Sequence, residues 1–123
     1  MKQITENYCS FETAKLLKEK GFDGECSRFY MPSGNGRWKY GHYHDFDISE
    51  RIDCPTHQMA LKWLREVHKI FICIVFLEDI DMYGFTIEDT SSKKYLATSK
   101  NDGYAIYEKA CEAAIKYCLE NLI

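Results

Sequence analysis

The segment Ile70-Phe71-Ile72-Cys73-Ile74-Val75-Phe76-Leu77 constrains the fold more than any other stretch of this chain. Its eight residues are all apolar. A membrane-spanning helix needs about 20 such residues, so this run cannot cross a bilayer as a helix. Its length and β-branched content predict a strand buried on both faces. Successive side chains of a strand point to opposite sides. Ile70, Ile72, Ile74 and Phe76 therefore share one face, and Phe71, Cys73, Val75 and Leu77 the other. One face is expected to meet helices. The other needs a cover, because four large exposed side chains in a row make an interaction surface or an aggregation hazard. That cover is either the N-terminal third of the chain or a second copy across a two-fold axis, the commonest symmetry of homo-oligomers. The aromatic content, 15% of the residues, favours the second copy.

The rest of the chain reads as alternating helix and strand signals. Ser10 is an N-cap candidate for a helix over 10–20, with Glu12 in its first turn and Gly21 just past its end. Two strands at 26–31 and 37–43 flank the turn cluster Pro32-Ser33-Gly34-Asn35-Gly36 and read as a hairpin, with a further short piece at 46–48. A helix follows over 56–68, started by Pro55 or Thr56, with Ala60, Trp63, Leu64 and Val67 on one face. After the apolar strand come strands at 82–88 and 95–98, then a helix over 104–122 with Asp102 as N-cap candidate. The order is α-β-β-α-β-β-β-α, an α+β fold with an antiparallel sheet packed against helices. A chain of 123 residues fits one domain, here a helix and hairpin (1–53) followed by helix, three strands and helix (54–123). The expected core comprises Trp63, Leu64, Val67, Ile72, Ile74, Phe76, Cys111, Ile115 and Cys118.

The opening residues 1–7 carry no apolar centre of the kind a secretory signal needs, which predicts a cytoplasmic protein with no membrane partner. In that reducing compartment the six cysteines are expected to be free thiols. The formal charge of −3 gives no general attraction to nucleic acid.

Two stretches are familiar: residues 55–68, with Pro55-Thr56 leading to Trp63-Leu64-Arg65-Glu66, and residues 10–23, from Ser10-Phe11-Glu12 to Gly21-Phe22-Asp23. With Tyr107-Glu108-Lys109-Ala110 in the closing helix, they resemble a group of small proteins of gut-bacterial chromosomes and prophages that has no assigned activity. The resemblance implies a phage or mobile-element origin and carries no catalytic residue.

Candidate chemistry is sparse. His42 and His44 share one strand face, and Cys54 and His57 flank a helix start; together they offer the ligand types of tetrahedral zinc, without the spacing of a standard motif. Tyr40, His42 and His44 read more simply as a half-exposed hairpin face. Cys54 at a helix N-terminus, with His57 nearby, is a weak nucleophile candidate that lacks an orienting third group. Glu78, Asp79 and Asp81 lack the ligand number and glycine of a calcium loop and read as a solvated turn. Arg37, Trp38, Lys39 and Tyr40 interleave cations and aromatics as nucleic-acid strands do, though aromatics are also ordinary strand residues. Helix, three strands, helix is also the order of double-stranded-RNA-binding domains, but the basic start of their second helix is missing at Asn101-Asp102-Gly103. The expectation is a non-enzymatic protein-interaction module without cofactor or zinc, most simply a homodimer. The alternatives are a nucleic-acid binder using residues 37–44 and a small cysteine/histidine enzyme.

Overall fold

The computed structural model describes residues 4–24, 26, 28–32, 38–42, 51–99 and 103–123, with the backbone alone for 31, 32 and 38–42. Helix α1 (Phe11–Glu19) starts where Ser10 Oγ accepts the Thr13 backbone N–H at 3.2 Å. It stops at Gly21, whose φ of 90° lies in the left-handed region open to glycine. There the Gly21 N–H reaches Lys18 O and the Phe22 N–H reaches Leu17 O, the paired bonds of a Schellman end. Helix α2 (His57–Val67) is capped by Thr56 Oγ1, which accepts the Met59 N–H at 3.1 Å. Helix α3 (Tyr107–Asn121) begins three residues later than its periodicity suggests. The Tyr104 N–H and C=O are engaged with Tyr83 O and N, each at 2.8 Å, which commits that residue to an extended bridge. The residue at the N-cap is Ile106, with no side-chain cap; Asp102 lies outside the described residues.

The strands form two antiparallel three-stranded sheets rather than one. The first pairs β1 (Arg28–Pro32) with β2 (Trp38–His42) and with the two-residue β3 (Ile52–Asp53), in the order β2-β1-β3. The expected strand piece at 46–48 lies outside the described residues. The second contains β4 (Ile70–Leu77), β5 (Met82–Asp89) and β6 (Lys94–Thr98), with a register shift between Ile87 and Glu88. Apart from the added β3, the element order is the one read from the sequence, and the fold is α+β.

Helices α2 and α3 cover one face of the second sheet, and α1 packs between β3 and α3. The buried core gathers Leu17 from α1, Ala60, Trp63 and Leu64 from α2, Ile70, Ile72, Phe85 and Ile87 from the sheet, and Cys111, Ile115, Cys118 and Leu119 from α3. Three expected core positions differ. Val67 is 58% exposed, because it is the last helical residue and the chain leaves there through His68 and Lys69 into β4. Phe76 is 51% exposed at the far end of β4, where its ring meets Tyr83 at 5.3 Å and α3 is only beginning. Ile74 is half-buried against the core.

The expectation that β4 is buried on both faces is corrected most clearly. Among the described residues no element packs on the face carrying Phe71, Cys73, Val75 and Leu77. Among the described residues the N-terminal sheet packs on α1 through β3. No helix among the described residues is long and apolar enough to cross a membrane.

Candidate functional site

Two places in the molecule carry chemistry or exposed surface that folding alone does not require. The first lies where three elements begin or cross. The N-terminal segment runs beside the start of α2: Tyr8 bridges Thr56, the Cys9 N–H donates to Pro55 O at 2.9 Å, and the His57 N–H donates to Asn7 O at 2.9 Å. This pairing sets Cys9, the residue before the α1 cap, close to His57, the first residue of α2. Glu112, in the second turn of α3, reaches both. One Glu112 oxygen lies 2.9 Å from His57 Nε2 and accepts the Ser10 backbone N–H at 3.1 Å; the other accepts Ser10 Oγ–H at 3.0 Å.

Glu112 thus does for α1 what a glutamate three residues past the cap does in a capping box. That position in α1 is Thr13, so the carboxylate comes instead from a helix 102 residues away. Burial would raise the Glu112 carboxyl, but hydrogen bonds with His57, Thr13 and Ser10 outweigh it and hold the group below the usual carboxylate range. Ligand atoms of Cys9, His57 and Glu112 lie within 4.8 Å of one another. Cys9 is 1% and His57 7% exposed. Burial, helped by the nearby Glu112 charge, pushes the Cys9 thiol strongly up, so as a bare thiol it is neutral and no nucleophile. His57 also lines an open cavity of ≈ 330 Å³ with Ile4, Asn7, Gln58 and Tyr107 among its walls.

The residues singled out from the sequence are distributed as follows. His57 belongs to this cluster. Cys54 is fully buried, and its Sγ donates to Cys9 O at 3.2 Å. His42 ends β2 opposite Arg28 of β1, whose carbonyl in turn accepts the Cys54 N–H. The backbones of His42 and Cys54 therefore lie two strand spacings apart, about 10 Å. Trp38, Lys39 and Tyr40 form β2 in register with Pro32, Met31 and Tyr30. Arg37 and His44 lie outside the described residues. Cys9 and Glu112 were not singled out. Glu112 had one legible signal, a carboxylate placed beside the buried stripe of α3 next to Cys111. Its partners lie too far along the chain for spacing to name them.

The second place is the open face of the β4-β5-β6 sheet. The register sets Phe71, Cys73, Val75 and Leu77 beside Glu88, Thr86, Gly84 and Met82, with Tyr95 and Thr98 of β6 next to Glu88 and Thr86. Phe71 is 41% and Tyr95 58% exposed, while Cys73, Val75 and Leu77 are shielded only in part. Glu88 is the single charge in this set. The chain matches no protein-family model, no curated protein and no solved structure.

Proposed function

We propose that this protein is a non-enzymatic protein-interaction module, of phage or mobile-element origin, whose working surface is the open face of the β4-β5-β6 sheet. The occupant is a second copy of the chain. The observation that carries the reading is the row Phe71, Cys73, Val75 and Leu77, of which Phe71 is exposed and the others only partly shielded, on a strand whose other side supplies the core. A face with one charge among ten residues suits an apolar partner of its own kind better than a phosphate backbone. The nucleic-acid alternative has no comparable support, since the net charge is −3. The enzyme alternative loses ground because Cys54 and Cys9 are both buried.

Geometry also sets the strength. Three strands about 4.8 Å apart and up to eight residues long at about 3.4 Å each present roughly 400 Å² of flat face. Two such faces stacked across a two-fold axis lie below the standard range for stable interfaces. The association is therefore expected to be weak and concentration-dependent. Sedimentation equilibrium over a concentration series tests it. The expected result is a mass that rises from 14.5 kDa toward the dimer on concentration, and stays at 14.5 kDa for Val75→Asp with an unchanged circular dichroism spectrum. A wild-type mass of 14.5 kDa up to about 1 mM, beyond the range of weak specific association, would reject the reading.

A further inference from the structure

We propose that Cys9, His57 and Glu112 form a binding site for one divalent cation of the zinc class, held by a thiolate, an imidazole nitrogen and a carboxylate oxygen. The three ligand atoms lie within 4.8 Å of one another. A tetrahedral zinc with bonds of about 2.0–2.3 Å keeps its ligand atoms about 3.3–3.7 Å apart. Closing from one spacing to the other takes shifts of about 1 Å, within reach of small side-chain rotations. The Nε2···Oε1 contact of 2.9 Å opens by roughly half an ångström in the same movement.

The ligand chemistry selects the ion. Sulfur and imidazole nitrogen favour zinc and its neighbours, whereas calcium and magnesium prefer shells made of oxygen. Charge balance points the same way. A thiolate and a carboxylate bring two negative charges into a buried place, and a divalent cation cancels both. On binding, the Cys9 sulfur gives its proton to solvent and bonds the metal; the proton between His57 Nε2 and Glu112 also leaves, to Nδ1 of the same ring or to solvent, so that the nitrogen lone pair and the carboxylate oxygen each bond the metal. No oxidation state changes.

The surroundings suit such a site. Metal-bound carboxylates are normally oriented by hydrogen bonds from a second layer of residues. Here the Ser10 N–H and Oγ–H already fix both Glu112 oxygens. Three protein ligands leave a fourth position for a water molecule, and one of the three, His57, also borders the open ≈ 330 Å³ cavity. This departs from the zinc-free chain expected from the sequence. The ligands come from the N-terminal segment, α2 and α3, with His57 and Glu112 55 residues apart, so no short motif announces them.

The test uses the full chain, stripped with a chelator and titrated with zinc against a chromophoric competitor, then with cobalt(II) followed by absorbance. The expected result is one ion per chain and a thiolate-to-cobalt charge-transfer band. Cys9→Ser should abolish that band, and Glu112→Gln should weaken zinc binding by at least about tenfold. Cys26→Ser and Cys73→Ser should retain full uptake. Circular dichroism of each variant separates lost binding from lost folding. If Cys9→Ser does not fold, His57→Gln and Glu112→Gln provide the same comparison. Absence of saturable one-to-one uptake by the wild type overturns the proposal. So does a charge-transfer band that survives in Cys9→Ser or disappears in Cys26→Ser or Cys73→Ser. The assay reads metal uptake at dilute protein and is independent of self-association.

Discussion

The two faces of the β4-β5-β6 sheet draw on equally apolar residues of β4 and differ in burial. Toward the helices lie Ile70, Ile72 and Ile74, opposed by Phe85 and Ile87 and continued by Ala97. Away from them lie Phe71, Cys73, Val75 and Leu77, opposed by Gly84, Thr86 and Glu88. Within β4 the two sets are equally apolar. The difference appears in β5, whose helix-side residues Phe85 and Ile87 are large and apolar and whose outer residues, Met82 at its start apart, are small or polar. A strand's own pattern therefore states how much apolar surface it has, while its neighbour's pattern states which side is dry.

The cysteines offer the largest test of this contrast. Cys111 and Cys118 of α3 are fully buried on the helix side, and burial pushes each thiol up to about 12. Cys73 on the outer face is only half-buried. In native protein at pH 8, a maleimide should modify Cys73 at least about a thousandfold faster than Cys111 or Cys118, since the latter pair wait for an opening of the core. Mass spectrometry of quenched time points reads the order. Comparable rates at the three sites would mean that the helix layer does not seal its side. Raising the protein concentration should slow labelling at Cys73 alone if a second copy covers that face.

Truncation comes next. Ile87→Ala removes a fully buried side chain that faces Ile72 and Ala97, and should lower stability by about 2–5 kcal/mol in urea unfolding. A loss below about 1 kcal/mol would place Ile87 outside the sealed side.

The polar link behind the helices should matter less. Glu112→Ala leaves the Ser10 N–H and the His57 imidazole without their carboxylate, at a cost of about 1–3 kcal/mol. The wild type should show the same dependence by acid. The Glu112 carboxyl titrates lower in the folded chain than its ordinary value. Its contribution is thus fully present above that ordinary value and lost as the pH falls through the folded one. The stability difference between wild type and Glu112→Ala should accordingly shrink on acidification below the usual carboxylate range. A difference that stays constant down to the lowest folded pH would remove Glu112 from this role.

The smallest effect belongs to the outer face. Val75→Thr, measured at dilute protein, should change stability by under about 1 kcal/mol while weakening concentration-dependent association. A loss as large as that of Ile87→Ala would show that both faces are sealed within one chain.

Much of the fold is legible residue by residue. Ser10 caps α1 as expected, Thr56 proves to be the cap where the sequence leaves Pro55 or Thr56 as the start of α2, Gly21 ends α1, and β4 occupies Ile70–Leu77. The start of α3 is not legible, because the residues at 104–106 carry the helical stripe as well as a backbone bridge to Tyr83 that only the folded sheet provides. The candidate metal site shows the same divide. His57 drew notice as a histidine at a helix start, but Cys9 and Glu112 acquire meaning only through the pairing of residues 7–9 with 55–57 and the crossing of α1 by α3.

Local chemistry is what the sequence by itself determined: which residues cap, turn and extend, how many thiols there are, and how much apolar surface β4 must hide. These depend on interactions within a few residues, whose spacing is written in the chain. Tertiary structure alone decided that the N-terminal sheet packs on α1 through β3, that Phe71 stays exposed on one face of β4-β5-β6, and that Cys9, His57 and Glu112 meet. These outcomes depend on which of several apolar faces pair. The apolar effect that drives this pairing scales with area and carries no direction, so only the whole packed arrangement can choose among the partners.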